Sequence, residues 1–180
     1  MTSSINPQIF REYDIRGIVG QDLTAESVAS IGKAIGTYIK RGGGKTMIIG
    51  RDVRTSSIEF RDILSKALNS TGCDVIDIGM VPTPVTYFAL HHFKADGGVM
   101  ITGSHNPPEY NGFKISQGVH SLYGEKVQEL KRLIDANDFE IGTGNTNQRE
   151  VLGHYMEKIC SILKISRKVK VVVDGGNGCF

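Results

Sequence analysis

Four side chains capable of chemistry lie close together in one segment of the sequence, TGSHNPPEYNGFK at residues 102–114. Within eleven positions this segment holds a hydroxyl, an imidazole, an amide and an ammonium group, on Ser104, His105, Asn106 and Lys114. Gly103 and Gly112 permit unusual backbone angles, and the prolines at 107 and 108 stiffen the turn. Because a stiff loop holds a reactive hydroxyl in place at little cost in conformational entropy, this segment is the candidate site.

The place of this segment in the predicted fold supports a functional interpretation. It follows Gly97–Ile101, an apolar run that predicts a strand. Ligand chemistry in parallel α/β sheets lies at the carboxyl ends of strands. A Ser-His pair alone would indicate an ordinary polar hairpin, but the full string favours chemistry over that alternative.

Other strings that imitate motifs lack the context their chemistry needs. Gly44-Lys45-Thr46 ends like a P-loop, but the first glycine of that motif would fall at Ile39, and a strand follows instead of a helix. The glycines at 175–178 do not match the dinucleotide fingerprint and indicate a strand-end turn. His91 and His92 have no partner at ligand spacing, which favours satisfied or solvated histidines over a metal site. The sequence contains no GxSxG string, which excludes a hydrolase-type nucleophile elbow.

Alternating helix and strand patterns must position the loop. Apolar residues spaced three and four apart predict five helices. The first has Thr24 as its N-cap and runs to about Arg41, and the second opens with a capping box at Ser56-x-x-Glu59 and ends at Gly72. The other three cover Thr86–Phe93, Gly124–Ala136 and Val151–Leu163. Short apolar runs predict strands at Lys45–Gly50, Cys73–Gly79, Gly97–Ile101, Phe113–Ser116 and Val169–Val173. Gly32 and Gly36, one turn apart on the first helix, allow close packing against a neighbour. Since strands separated by helices pair in parallel through right-handed crossovers, the fold class is α/β.

The composition changes after the helix at 124–136. Residues 135–149 (DANDFEIGTGNTNQR) are polar and rich in glycine and asparagine, which is typical of a linker or exposed loop. The chain stops at a predicted strand-to-helix turn, so its last strand lacks a covering helix. We therefore expect a first domain at 1–137, a linker or exposed loop at 138–150, and a connecting helix with the start of a truncated second domain at 151–180. On this view the chain is a fragment of a longer protein.

Charge and composition exclude several classes of protein. The chain has 21 Lys and Arg residues and 19 Asp and Glu residues, which gives a net charge of +2. This charge is too small for the basic excess expected of a nucleic-acid-binding domain, and the chain has no Trp for base stacking. No apolar run approaches the ~18 residues of a membrane span. The N-terminus lacks the pattern of an export signal. Three scattered cysteines, at 73, 160 and 179, fit reduced thiols. We expect a cytoplasmic protein without nucleic-acid or membrane partners.

Four strings of the chain resemble the motifs of one family. TGSHNPPEYNGFK closely resembles the active-site serine loop of the α-D-phosphohexomutases, particularly the phosphomannomutase/phosphoglucomutase branch. FREYDIRG at 10–17, GRDVR at 50–54 and VVVDGGNG at 171–178 resemble, in order, its N-terminal motif, its second motif and its second-domain opening strand. The serine loop is highly specific, whereas GRD and DGGNG alone are weak. The resemblance covers essentially the whole chain.

The resemblance implies a fold and an activity. The fold is a mixed, mostly parallel sheet sandwiched by helices, followed by the first strand of a second, similar domain. The activity is a Mg²⁺-dependent intramolecular phosphotransfer that interconverts hexose 1-phosphate and hexose 6-phosphate, with mannose, glucose or both as the sugar. Glucose 1,6-bisphosphate or mannose 1,6-bisphosphate serves as intermediate and activator.

The resemblance also implies roles for individual residues. Ser104 is carried as phosphoserine, a covalent carrier that divides one phosphoryl transfer into two, and its phosphate is a Mg²⁺ ligand. Lys114 and Arg16 neutralise the transferring group or assist proton movement at the sugar hydroxyl. His105 and Asn106 bind the phosphate or maintain its hydrogen bonds. Tyr13 supports Arg16, and Arg51 is a candidate phosphate-binding residue.

Structural interpretations remain open for the two arginines. Arg16 could instead pair with Asp14 or Glu12 on the surface. For Arg51, a structural salt bridge with Asp52 or Asp62 is favoured over a direct contact with phosphate. Asp174, at the end of a predicted strand, is expected to serve the turn.

The chain departs from the family pattern at the metal. The family's Mg²⁺-binding string DGDxDR is absent from the sequence, and so are the sugar- and phosphate-binding loops of the later domains. We therefore expect the remaining metal ligands to lie outside this chain, and this 180-residue piece alone to have no mutase turnover. The alternatives are a phosphoglucosamine mutase, whose loop typically reads closer to SASHNP, a non-catalytic sugar-phosphate-binding module, and a metal-dependent phosphatase that uses Ser104 as nucleophile.

Overall fold

The computed structural model describes residues 5–176 and 178–179. Its helices are a short 3₁₀ turn at Pro7–Ile9 and α1 (Ala25–Arg41), α2 (Ser56–Ser70), α3 (Thr83–His92), α4 (Glu125–Asp135) and α5 (Leu152–Ile162). Its strands are β1 (Ile15–Ile18), β2 (Thr46–Arg51), β3 (Asp74–Met80), β4 (Gly97–Ile101), β5 (Tyr110–Gln117), β6 (His120–Ser121) and β7 (Thr146–Gln148). None of these helices is long and apolar enough to cross a membrane.

The strands form one mixed sheet. Its order is β1-β5-β4-β2-β3-β7, with β6 paired to β5. Strands β4, β2, β3 and β7 run parallel, whereas β5 is antiparallel to both β4 and β1. The α/β prediction of a mostly parallel sheet flanked by helices is confirmed.

Two apolar clusters cover the two faces of the sheet. The larger one joins the sheet to α1, α2 and α4, and the smaller one joins it to α3 and to Val151 before α5. The predicted close packing of the first helix is confirmed, since a Cβ on Gly32 would lie 2.6 Å from the Cβ of Ala67 on α2. His92, expected to be a satisfied or solvated histidine, is exposed and stacks on His154 of α5, with ring centroids 4.6 Å apart.

One predicted helix cap and one predicted helix start are wrong. The capping box at Ser56-x-x-Glu59 does not form, because Thr55 is the N-cap residue and the Ser56 hydroxyl accepts a hydrogen bond from the Asn111 amide instead (2.8 Å). Helix α3 begins at Thr83, three residues before the prediction, because Pro84 is tolerated in the first turn of a helix.

The segment predicted as a linker or exposed loop carries the edge strand β7. Thr146–Gln148 are exposed, and they pair in parallel with Val75–Asp77 of β3. Arg41, at the end of α1, forms ion pairs with Asp138 (2.7 Å) and Glu140 (3.0 Å). Residues 138–148 therefore lie along the first domain.

The predicted buried strand at Val169–Val173 is wrong for this chain. These residues form no strand, and Val172 is 93% exposed. A strand needs a hydrogen-bonded neighbour and an apolar surface against its side chains, and the described part of the chain supplies neither to this segment. The predicted turn at Asp174 is confirmed, because its carboxylate accepts a hydrogen bond from the Gly176 N–H (2.9 Å).

Candidate active site

A pocket of about 570 Å³ lies at the carboxyl ends of the parallel strands. The loop after β2 lines one side with Asp52–Thr55, and the loop after β4 contributes Thr102, Ser104 and Asn106. Gly178 and Cys179 of the C-terminal segment also line it. The predicted location of the site at this edge of the sheet is therefore matched by a cavity that contains Ser104.

Ser104 has an unusual backbone conformation. Its φ is +54°, in the left-handed region, where a residue other than glycine costs about 1–2 kcal/mol. The Ser104 N–H donates to the Thr102 hydroxyl (2.8 Å), and the side chain is exposed. Strain of this kind persists only where the surroundings impose it, and it concentrates at functional sites.

His105 and Asn106 follow Ser104 with different contacts. His105 is exposed, and its Nδ1 lies 3.4 Å from the Ser104 Oγ, a long contact for a hydrogen bond. The Asn106 side-chain amide donates to the Gly103 carbonyl (2.9 Å), as does its backbone N–H (3.0 Å). Asn106 thus closes the turn that presents the serine, and this use of its amide competes with the predicted contact to phosphate.

Arg16 and Lys114 lie on one face of the sheet. Arg16 of β1 is opposite Gly112 of β5, and Lys114 is two residues further along β5, opposite Met100. Residues two apart on a strand point to the same face, so the two cations lie on neighbouring strands of one face. Gly112 also accepts the Thr102 N–H (3.0 Å), which places this cationic pair beside the base of the serine loop.

Two predicted supporting interactions are not formed. Arg16 forms an ion pair with Asp14, as the structural alternative had it, but both side chains are largely buried instead of lying on the surface. Tyr13 is 72% exposed and makes no hydrogen bond with Arg16 among the described residues. Asp52 pairs with Arg54 (3.3 Å) and Asp62 pairs with Arg61 (2.7 Å). The predicted salt bridge of Arg51 with one of these aspartates is therefore wrong. Arg51 donates only to the Asp52 main-chain carbonyl (3.3 Å), and its buried Nε has no partner among the described residues.

Asp52 and Arg54 hold the serine loop, although the sequence interpretation gave neither a role in the site. The buried Asp52 carboxylate accepts hydrogen bonds from the Gly103 N–H (3.2 Å) and the Ser57 hydroxyl (2.7 Å), which ties the loop to the start of α2. The signal in the sequence is the GRDVR string at 50–54, whose GRD part is weak when it stands alone.

The residues present offer little to a metal ion. The described residues contain no group of three or more His, Cys, Asp and Glu side chains that could hold one. The Asp52 carboxylate is already engaged by Gly103, Ser57 and Arg54. The exposed Ser104 hydroxyl fits a single ligand, supplied through a phosphate.

The thiol at the pocket is not set up as a nucleophile. Burial, and then the nearby Asp52 carboxylate, raise the pKa of Cys179. Because the thiolate is the nucleophile, a raised pKa keeps this group unreactive at neutral pH. Cys179 is therefore not a candidate nucleophile of this pocket.

The fold and the site together define a class of protein. It is an α/β/α domain that presents a strained serine at the carboxyl edge of its sheet. The family model for phosphoglucomutase/phosphomannomutase, alpha/beta/alpha domain I, matches residues 7–141. The chain belongs to this family.

Individual relatives agree with this membership. A phosphomannomutase/phosphoglucomutase of Pseudomonas aeruginosa is 46% identical over 170 residues, which are 94% of this chain and 37% of the relative. A probable phosphoglucosamine mutase of Thermococcus gammatolerans is 43% identical, over 94% of this chain and 38% of the relative. A crystal structure of a phosphoglucomutase/phosphomannomutase family protein from Burkholderia thailandensis matches with a TM-score of 0.87 and 40% identity, over 91% of this chain and 37% of that one. The chain thus spans little more than a third of the length of these relatives.

Proposed function

We propose that this chain is the phosphoserine domain of a longer polypeptide that interconverts hexose 1-phosphate and hexose 6-phosphate. The observation that carries the proposal is Ser104, held at a φ of +54° and exposed in a pocket at the carboxyl edge of the sheet. Family membership supports the reaction, and the relatives' printed names support mannose and glucose phosphates as the substrates.

Ser104 acts as a carrier of the phosphoryl group. Its phosphoryl group passes to a free hydroxyl of the sugar monophosphate, where the new P–O bond forms as the Ser104 Oγ–P bond breaks and the hydroxyl proton ends on the Ser104 Oγ. The resulting 1,6-bisphosphate turns in the site and returns its other phosphoryl group to Ser104. Splitting the transfer in this way conserves phosphate, which distinguishes a mutase from a phosphatase.

Positive charge on the neighbouring strands supports the transfer. Phosphoryl transfer depends on positioning and on charge around the equatorial oxygens. Lys114 and Arg16 supply two cations on one face beside the loop, and His105 lies next to the Ser104 hydroxyl. Tyr13 and Arg51 remain candidates for contacts to the sugar phosphate, because Tyr13 is exposed and the Nε of Arg51 finds no hydrogen-bond partner in the part of the chain that the structure describes.

Mg²⁺ is the proposed metal, with phosphorylated Ser104 as the one ligand from this chain. A bound Mg²⁺ would neutralise charge on the phosphoryl oxygens. The other ligands and the sugar-binding loops belong to residues outside this chain, so the 180-residue chain alone has no turnover. We place the protein in the cytoplasm, where its three unpaired thiols stay reduced.

The test is a mutase assay on the full-length polypeptide and on its Ser104→Ala variant. The assay follows interconversion of mannose, glucose and glucosamine phosphates, together with release of inorganic phosphate. The proposal expects conversion of mannose or glucose phosphate without phosphate release, and none with Ser104→Ala. Preference for glucosamine phosphate would favour the activity in the printed name of the Thermococcus relative. Phosphate release would indicate a phosphatase, and binding without conversion would indicate a non-catalytic module.

A further inference from the structure

Arg54 contacts the serine loop through its backbone. Its Nη1 donates to the carbonyls of Pro107 and Tyr110, both at 2.8 Å. Its Nη2 donates to the carbonyls of Ser104 (3.2 Å) and Asn106 (2.6 Å). One side chain from the loop after β2 therefore joins four points of the loop after β4.

The two terminal nitrogens of Arg54 use their donors on the loop. A guanidinium carries five N–H groups and no acceptor. Four carbonyls face the two terminal nitrogens, and Nε lies 3.3 Å from the Asp52 carboxylate, which also balances the charge. The side chain is only 14% exposed. Arg54 thus has neither a free terminal N–H group nor an uncompensated charge to offer to a phosphate.

The loop has a glycine where Arg54 crosses it. A Cβ on Gly103 would lie 2.3 Å from the Cζ of Arg54, far inside van der Waals contact. Gly103 directly precedes Ser104, and its N–H is held by Asp52. The arginine, the aspartate and the glycine therefore form one unit around the strained serine.

We propose that Arg54 is a positioning residue, which fixes the backbone of the loop so that the Ser104 hydroxyl stays in place for phosphoryl transfer. This inference rests on the proposed function. Arg54 acts through Ser104 and contacts neither the sugar nor the phosphate. A misplacement of about 1 Å at a reacting atom can lower the rate about 100-fold, so loss of this contact should be visible in kcat.

The experiment compares Arg54→Ala, Arg54→Lys and Arg61→Ala in the full-length polypeptide. Arg61 is the matched control, because it pairs with the buried Asp77 (2.6 Å) away from the loop, and its loss also removes the charged partner of a buried carboxylate. We expect Arg54→Ala to lower kcat about 100-fold with KM changed less than about 3-fold, and added guanidinium ion to restore at least about 10-fold. Arg54→Lys should stay at least about 10-fold low, since an ammonium cannot span four carbonyls. Arg61→Ala should keep kcat within about 3-fold of the wild type.

Other results would overturn the proposal. Full activity of Arg54→Lys would mean that charge alone matters, and a rise in KM with kcat unchanged would mean a contact to substrate. An equal loss of kcat in Arg61→Ala would mean a general effect of stability.

A second measurement does not depend on activity. Amide hydrogen exchange at Ser104 and Asn106 should quicken at least about 10-fold in Arg54→Ala and not in Arg61→Ala. Unchanged exchange would overturn the inference. If the wild-type polypeptide itself has no mutase activity, the proposed function fails, and the exchange comparison alone decides whether Arg54 holds the loop.

Discussion

The guanidinium of Arg54 occupies the space that a side chain on residue 103 would need, because a Cβ built on Gly103 lies 2.3 Å from its Cζ. Residues 50 positions apart along the chain, Arg54 and Ser104, are joined in the same region by a hydrogen bond from Nη2 to the Ser104 carbonyl. The shape of the serine loop is thus set by a neighbouring loop.

Gly103→Ala should reproduce the loss of Arg54. The new methyl group displaces the guanidinium from its four carbonyls, two of them in part-buried hydrogen bonds, at a cost of about 1–2 kcal/mol. We expect the effects of Gly103→Ala and Arg54→Ala on stability to be strongly non-additive, as measured by urea unfolding of the two single variants and the double variant. Additive effects would show that the glycine and the arginine act independently.

Lys114→Met should affect the reaction and leave the fold intact. If the lysine neutralises the transferring phosphoryl group, its loss lowers kcat by about 100-fold or more in the full-length polypeptide. Lys126→Met is the control, because Lys126 lies beside Gln117, at the end of β5 that is away from the serine loop. Thermal unfolding checks that both variants remain folded. Similar kcat values for the two variants would remove Lys114 from the proposed site.

The contact between α1 and α2 can be tested by exchanging two small residues. The Cβ of an alanine at position 32 would lie 2.6 Å from that of Ala67, so Gly32→Ala should cost about 1–3 kcal/mol despite the better helix propensity of alanine. Adding Ala67→Gly removes the clash, and the double variant should recover at least about 1 kcal/mol relative to additivity. Denaturant unfolding measures all three variants, and a coupling of zero would contradict the packing described.

Asp22 should make stability depend on acid pH. Its pKa is lowered first by the hydrogen bond from the Ile18 N–H (2.9 Å) and then by that from the Asn6 side chain (2.8 Å). A carboxylate with a lowered pKa in the folded state stabilises the fold above the unfolded pKa of about 3.9, and this contribution is lost as the pH falls through the folded pKa.

Asp22→Asn should therefore lower the free energy of unfolding by about 1 kcal/mol at pH 7, with a difference from the wild type that shrinks below about pH 4. Asp135→Asn, which removes an exposed ion pair with Lys131, should change little at any pH. A difference for Asp22→Asn that stays constant from pH 7 to pH 2 would contradict the assigned cause.

Sequence patterns predicted the elements whose side chains are buried. The apolar run at Gly97–Ile101 gave β4 to the residue, and the apolar spacing after Thr24 gave α1, because burial imposes a period that the sequence must carry. Strand β7 was missed since Thr146–Gln148 are polar and exposed at the sheet edge. The strand predicted at residues 169–173 is wrong for the opposite reason. The run is apolar, but an apolar run forms a strand only where neighbouring strands can pair with it.

The location of the candidate serine loop was predictable from the sequence, whereas the residues that support the loop were not. Ser104 and the residues after it share one short string, so local sequence identified them. The role of Arg54 depends on main-chain carbonyls about fifty residues away. Because every residue has such a carbonyl, the residue types at those positions do not reveal the contact. The choice of Asp14 as the partner of Arg16, and the lack of a carboxylate partner for Arg51 within the described part of the chain, likewise depend on the folded geometry.

The most direct test of the account is transfer of phosphate to Ser104 itself. The full-length polypeptide would be incubated with glucose 1,6-bisphosphate carrying labelled phosphate, digested and mapped for phosphopeptides, with Ser104→Ala in parallel. The account predicts label on the peptide that contains Ser104, chased out by unlabelled bisphosphate and absent from the variant. Binding of sugar phosphates with Ser104 never labelled would contradict the carrier role.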